Sequence, residues 1–380
     1  MDLRRTIQSF RRRVLVRSSI NVDEVFTVAN IVKPGETIAS TRYEARVGGK
    51  GANVAAAIGL ALRTQGEVAP EDSSSHSLDT DSGPSVHLLA AMGSDAAWAP
   101  VELRQRDVDT ARVIVQAHTP TGRAFIQVST QDGGENCIVL NAGANATTDA
   151  RIDDAERIIG GDRPAYLVLQ NEIPLQTTRA FVRAAAATAK LDGAQTRTVF
   201  NPSPMLSHAE VLEFEWDLID ILLVNEGEAK TLISFLHPRT SDASDADDQD
   251  FAKQLVDLPQ LASVSCILVT KGSAGVVGYI RQPKGSGMTV ERIEQAAFPP
   301  RAVVDTTAAG DTFCGFLVAG MLALSCTERD GRTIPTSTTA LREVLRTAVC
   351  AASMAVESAG ALDSIPDGRD VQRRLATSDW

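Results

Sequence analysis

Short apolar runs alternate along this chain with longer stretches whose apolar positions recur at helical spacing. The runs Val14–Ile20, His87–Ala91, Ala165–Gln170, Thr198–Asn201, Ile219–Val224 and Cys266–Thr270 are rich in aliphatic residues. Bounded by turn residues, such runs predict strands covered on both faces. Gly51–Leu62, Leu175–Lys190, Glu226–Leu236 and Phe251–Leu258 predict helices between them. Strands alternating with helices predict an α/β fold of three layers, α/β/α, around a mostly parallel central sheet. A second texture marks Pro34–Val47 and Thr121–Leu140, where apolar and polar residues alternate, as in Arg123-Ala124-Phe125-Ile126-Gln127-Val128-Ser129. Half-exposed antiparallel strands read this way. These segments therefore predict a small β-sheet lid, suited to closing over a substrate.

Two stretches break the pattern. Thr64–Ser85 is rich in Ser, Asp, Gly and Pro, and His237–Asp250 carries Asp242, Asp245, Asp247, Asp248 and Asp250. Both are expected to be solvated surface inserts, and Pro283–Gly287 a turn. One domain is expected over 14–370, with its lid at about 34–47 and 121–140, a basic tail at 1–13 and a C-terminal tail at 371–380. Arg4, Arg5, Arg11, Arg12 and Arg13 supply the basic tail, for which a mitochondrial transit peptide is the alternative reading.

The 380 residues, 43% hydrophobic and 22% charged, suffice for a large core. A net charge of −11 argues against nucleic acid or an anionic membrane as partner. No apolar run approaches the ~20 residues that span a bilayer. The five cysteines, Cys137, Cys266, Cys314, Cys326 and Cys350, are odd in number and form no CxxC pair. Buried free thiols in a reducing compartment are expected.

Candidate chemistry gathers at the ends of predicted strands, where open α/β sheets bind ligands. In Val304-Asp305-Thr306-Thr307-Ala308-Ala309-Gly310-Asp311-Thr312-Phe313, small residues lead to Asp311 and then to an apolar helix. Such a loop points helix N–H groups at one anion and plants a carboxylate beside it. That pairing suggests phosphoryl transfer to a hydroxyl. Gly48-Gly49-Lys50-Gly51-Ala52-Asn53 opens another helix, its glycines permitting close approach to a ligand. It lacks Walker A spacing, and an ordinary strand-to-helix turn would look the same. In Ser18-Ser19-Ile20-Asn21-Val22-Asp23, Asn21 and Asp23 share one side of an extended segment. They suit sugar hydroxyls, although a polar Asx turn reads alike. Gln170-Asn171-Glu172 and Asn225-Glu226-Gly227-Glu228 end two further strands. Glu228 can hold Mg²⁺ through water, or simply complete an N-cap with Asn225. Thr270-Lys271-Gly272-Ser273-Ala274-Gly275 suits a loop against a nucleotide, or a hairpin turn.

Together these segments resemble the ribokinase branch of the PfkB-type carbohydrate kinases, from about Val14 to about Pro366. Gly48–Asn53 resembles the first family signature, and Asp305–Phe313 the second. Ser19–Asp23 resembles the sugar motif of the first strand. Gly134-Glu135-Asn136 with Ala142-Gly143-Ala144-Asn145 resembles the lid region.

The resemblance implies ATP-dependent phosphorylation of D-ribose at its 5-hydroxyl, with Asp311 as general base and the amides of Ala308, Ala309 and Gly310 as anion hole. Asn21, Asp23, Gly49, Lys50, Gly51, Asn53 and Glu172 would hold the sugar. Asn225 and Thr270, Lys271, Gly272, Ser273, Ala274 and Gly275 would hold ATP, meeting Gly310 and Asp311 at its phosphates, with Glu228 supporting Mg²⁺ through water. A K⁺ ion is implied at Asp305, Thr307, Ala355, Ser358, Gly360 and Ser364. The resemblance also implies a homodimer joined through the lid, and a cytoplasmic location with the nucleus as a second compartment. A sister kinase acting on fructose, adenosine or a keto-deoxy sugar would share these signatures. An inactive sugar- or nucleotide-sensing protein is the remaining alternative.

Overall fold

A computed structural model describes residues 13–63, 84–131, 136–192, 195–237, 250–284, 287–327, 338–378 and 380. Residues 1–12 of the basic tail, nearly all of both inserts, and the lid residues Gly134 and Glu135 lie outside these, whereas Arg13, expected in the tail, opens the first strand.

The strands are β1 (Arg13–Arg17), β2 (Asn21–Val28), β3 (Arg42–Gly48), β4 (Ser85–Gly93), β5 (Val108–Asp109), β6 (Val113–Gln116), β7 (Gly122–Ser129), β8 (Asn136–Asn141), β9 (Tyr166–Gln170), β10 (Arg197–Asn201), β11 (Ile221–Asn225), β12 (Cys266–Thr270), β13 (Val276–Lys284) and β14 (Gly287–Gln295). The large sheet runs β14-β13-β12-β11-β10-β9-β1-β4-β5, with β6 beside β4. It is parallel from β12 to β5, and β13 and β14 add antiparallel strands at one edge.

Because side chains alternate along a strand, Val14 and Val16 pack on one face. There they meet the helices α1 (Lys50–Ala61), α5 (Ala309–Thr327) and α6 (Thr338–Ala355). Leu15 and Leu169 pack on the other, against α2 (Leu175–Asp192), α3 (Glu226–Leu236) and α4 (Phe251–Asp257). Gly315 lets α5 lie directly on α1, since a Cβ there would stand 2.3 Å from that of Ala57. This contact brings the first turns of the two helices, and so Asn53 and Asp311, side by side.

The lid is a second sheet of order β3-β2-β7-β8. One of its two central strands is β2, which follows β1 after only Ser18-Ser19-Ile20. The expected lid segment Pro34–Val47 is strand only from Arg42; Gly35, at φ 86, turns the chain before it. Cross-strand partners share a face. Asp23, Arg46, Ala124 and Leu140 therefore lie on one side of the lid, and Tyr43, Phe26, Phe125 and Val139 on the other.

Three further expectations change. The turn expected at Pro283–Gly287 is shorter, because Pro283 pairs with Met288. β12 reaches only to Ile280 along β13, so beyond it, among the described residues, β13 has the open edge where proline is tolerated. The expected C-terminal tail is instead mostly α7 (Gly368–Ala376), whose Val371 and Leu375 share a helix face and are buried in the core. Trp380 packs edge-on against Phe298. Cys266, Cys314 and Cys350 are buried free thiols, whereas Cys137 is exposed on β8.

Candidate active site

The cleft lies along the carboxyl ends of β1, β9, β11 and β12, with the lid rising from β1. The N-terminus of α1 faces it. Its N-cap, Gly49, sits at φ 88 and offers no capping side chain, so the first amides find partners elsewhere. Lys50 N–H donates to Glu172 Oε2 at 2.9 Å, Gly51 N–H to Ser19 Oγ at 3.3 Å, and Ala52 N–H to the Ser19 carbonyl at 3.0 Å. Ser19 Oγ itself donates to Glu172 Oε2 at 2.5 Å. Glycine is required at two points here. A Cβ on Gly48 would stand 2.1 Å from Asp23 Oδ2, and one on Gly49 2.8 Å from Asn21 N.

Asn21 is held by a residue 124 positions away, because Asn145 Nδ2 donates to Asn21 Oδ1 at 2.7 Å. The same Asn145 amide brackets Ile20, donating to its carbonyl and accepting from its N–H, both at 3.0 Å. Between this strand end and the lid lies a cavity of about 340 Å³ lined by Asn21, Leu140, Asn145, Asn171, Glu172 and Pro204, among others.

Asp311 stands in the first turn of α5, 8% exposed. Asn53 Nδ2 donates to its Oδ2 at 2.9 Å, and Lys50 Nζ lies 3.9 Å from its Oδ1. Asp311 raises the pKa of Lys50 above its ordinary value, against the opposing effect of burial; Glu172 and Glu228 add to the rise. Burial, with the charges of Glu172 and Asp311, pushes Asp23 up to about 7. Burial likewise raises Glu172, against its hydrogen bond from Ser19 and the charge of Lys50.

The loop before Asp311 carries backbone strain. Ala308 has φ 60, a conformation uncommon for a residue with a Cβ. The Ala308 carbonyl accepts from Thr312 N–H at 2.8 Å. Ala309 N–H makes only a long 3.4 Å contact to Thr306 O, which leaves it able to turn to an anion. Among the described residues Gly310 N–H meets no acceptor, and a Cβ on Gly310 would meet nothing within 4 Å. This open helix N-terminus beside a carboxylate can take an anion.

On the other side, Asn225 and Glu228 form a reciprocal capping box at the start of α3, with Glu228 N–H to Asn225 Oδ1 at 2.8 Å and Asn225 N–H to Glu228 Oε2 at 2.9 Å. The capping reading is therefore correct for both. The segment Thr270–Gly275 is the connection of the β12–β13 hairpin, level with Asn225 in register. It closes on itself, with Lys271 N–H to Gly275 O at 2.7 Å, and Gly272 and Gly275 at φ 52 and 95.

The expected cation residues lie on two segments that touch at Val356, whose carbonyl accepts from Val304 N–H at 2.8 Å and Asp305 N–H at 3.3 Å. Asp305 accepts from Thr307 N–H and Gly360 N–H, each at 2.9 Å. Burial would raise this carboxyl, but those bonds, with the Arg46 charge, hold it below its ordinary value. Ser358 N–H contacts Ala355 O at 3.4 Å, and Ser364 Oγ donates to Ala361 O at 3.1 Å. Arg46, reaching over from β3, donates to Ala359 O at 3.1 Å.

The structure thus joins Asn53, Lys50, Glu172 and Asp311 by direct contacts, with Asp23 close to Gly48 just before them. Two contributors went unassigned in the sequence: Ser19 and Asn145. Both stand inside motifs that were singled out, Ser18–Asp23 and Ala142–Asn145. Their partners, however, are far along the chain.

Comparison with known proteins agrees with this geometry. The model of the pfkB family carbohydrate kinases matches residues 11–368. Ribokinase from Haemophilus influenzae is 30% identical over 360 residues, 94% of this chain and 96% of the relative. The crystal structure of ribokinase from Cryptococcus neoformans in complex with ADP is 32% identical with TM-score 0.70, covering 96% of this chain and 99% of that one. Arabidopsis thaliana ribokinase complexed with ribose and ATP is 26% identical with TM-score 0.68 over the same shares. A nearly full-length family match, and a cleft in which the two family signatures meet at Asp311, make this chain a member of the pfkB family of carbohydrate kinases.

Proposed function

We propose that the protein transfers the γ-phosphoryl group of ATP to the 5-hydroxyl of D-ribose. The observation that carries this reading is Asp311. It is a nearly buried carboxylate at an open helix N-terminus, fastened by Asn53 and flanked by Lys50. The relatives named ribokinase, one of them crystallised with ribose and ATP, supply the choice of sugar.

In the reaction, Asp311 accepts the proton of the 5-hydroxyl as that oxygen bonds to the γ-phosphorus. The bond to the bridging oxygen breaks and ADP leaves. The charge on the transferring group falls on the N–H groups of Gly310 and its neighbours and on Lys50. Asn21 and Asp23 orient the sugar from the lid side, Glu172 and Gly49 from the body, and the lid excludes water.

Mg²⁺ fits near Glu228, whose second carboxylate oxygen is not used by the capping box. Bound there, Mg²⁺ would neutralise phosphate charge. A monovalent cation such as K⁺ fits the all-oxygen set around Asp305, a carboxylate held anionic. The outward lid row of Tyr43, Phe26, Phe125 and Val139, with Tyr43 at 53% and Val139 at 61% exposure, suits a second copy of the chain and hence a homodimer. A concentration-independent monomer mass would refute that dimer.

The deciding experiment is ATP consumption with ribose, fructose, adenosine and a keto-deoxy sugar, each with and without K⁺. Turnover of ribose, stimulated by K⁺, is expected. Turnover of another acceptor in place of ribose would overturn the choice of sugar, and no ATP turnover with any acceptor would favour a sensor.

A further inference from the structure

We infer that Ser19 is a positioning residue of the reaction, acting through Glu172. The argument starts from the helix that carries Lys50 and Asn53. An α-helix leaves its first N–H groups without intrahelical partners, and a short polar side chain at the N-cap usually serves one of them. Here the N-cap is Gly49, which has no side chain to offer. The cap is supplied from two other strands instead. Ser19, after β1, receives the N–H groups of Gly51 and Ala52; Glu172, after β9, receives that of Lys50. The Ser19 hydroxyl then donates to the same Glu172 oxygen that Lys50 N–H reaches.

One hydroxyl thus joins three segments: the strand leading to Asn21 and Asp23, the helix bearing Lys50 and Asn53, and the strand end bearing Glu172. Ser19 is fully buried, so water does not substitute for it. Its loss leaves Glu172 with Lys50 N–H alone on that oxygen. The carboxylate is then free to turn, and the first turn of α1 loses one amide acceptor. Both changes act at the Asn21–Glu172 end of the cleft, away from the Asn225 and Thr270–Gly275 side.

This inference rests on the ribose reading above, and the test separates the two. Ser19→Ala, Glu172→Gln and the double variant would be compared with the unaltered enzyme for KM of D-ribose, KM of ATP, kcat, Tm and hydrogen exchange at the amides of Lys50 and Gly51. A hydrogen bond to a charged group corresponds to roughly ten- to hundredfold in a binding constant. Ser19→Ala is therefore expected to raise the ribose KM by roughly tenfold or more, with ATP KM unchanged and kcat reduced less. Exchange at Lys50 and Gly51 should quicken. The double variant should be no worse than Glu172→Gln, since coupled residues are not additive. A lowered Tm with unaltered ribose KM would overturn the inference and leave Ser19 a purely structural residue. Effects of the two substitutions that simply add would overturn it as well. Failure of the unaltered enzyme to turn over ribose would sink the ribose reading only. The exchange rates would still decide the Ser19 link.

Discussion

On the proposed sugar side of the cleft, Asn21, Glu172 and Asp311 are each fastened to a distant part of the chain. On the proposed nucleotide side the bonds close locally. Asn21 is held from Asn145, Glu172 from Ser19 and Lys50, and Asp311 from Asn53, across sequence separations of 124, 153, 122 and 258. Asn225 and Glu228 instead cap each other three residues apart, and the loop Lys271–Gly275 bonds to itself. The first side is a preorganised mesh of side chains, in which a single change reaches several neighbours. The second is a backbone cradle, tolerant of change outside its turns.

The largest expected effect lies where the two sides meet. Asp311→Asn should keep its fold by circular dichroism while kcat drops by ~10²–10⁴-fold, the usual range for general-base catalysis. Turnover close to the unaltered rate would remove the base from the mechanism. Next comes Gly310→Ala. A Cβ there meets no protein atom, and alanine is the better helix former by about 1 kcal/mol. Stability should hold or rise, yet the methyl would occupy the space in front of the open amides. A loss of about 10²-fold in turnover is expected from the displaced phosphoryl group; full activity would mean that the anion binds elsewhere.

Asp23 gives a test through pH. Its carboxyl, at about 7 in the folded protein, lies well above the ordinary value. The folded state therefore binds the extra proton between those values. The associated stability is complete below the ordinary value and is lost as pH rises through about 7. Sugar hydroxyls donating to Asp23 favour its charged form, so the ribose KM should fall as pH rises through that same range. Asp23→Asn should flatten this dependence, raise the ribose KM, and raise Tm at alkaline pH. An unchanged pH profile would show that Asp23 does not meet the sugar. The smallest effect is expected on the local side. Asn225→Ala should cost about 1 kcal/mol of stability through the lost cap and raise the ATP KM without altering that for ribose. A large change in ribose KM would show that the two sides are not separate.

What could be read from the sequence follows the same division. Continuous aliphatic runs such as Ile221–Val224 and Cys266–Thr270 declared their strands, because a strand covered on both faces has only apolar environments to meet. The Asp311 loop was legible because its chemistry lies within ten consecutive residues. The capping box of Asn225 and Glu228 was equally legible, being local. Ser19 and Asn145 were not assigned, because their partners are set by the folding of the sheet and not by spacing. β2 was read only as the polar end of the first strand, since nothing in Ser18–Ile20 announces that the chain leaves one sheet there and enters another. α7 was missed for a similar reason. Its two buried apolar side chains, Val371 and Leu375, sit among Arg369, Asp370, Arg373 and Arg374, and only packing against the core gives them a use.

That short passage from β1 to β2 has a mechanical meaning. If the lid turns as a lever about Ser18–Ile20, Asn21 and Asp23 stand near the fulcrum, while Tyr43, level with Phe26, and the β2 end at Val28 stand farther along the arm. A rotation about this junction would sweep that end through a wide arc and leave the sugar contacts nearly still. Opening and closing could then admit and release substrate without disturbing the groups that recognise it. A partner subunit gripping the far end of the arm would hold the greatest leverage over the motion.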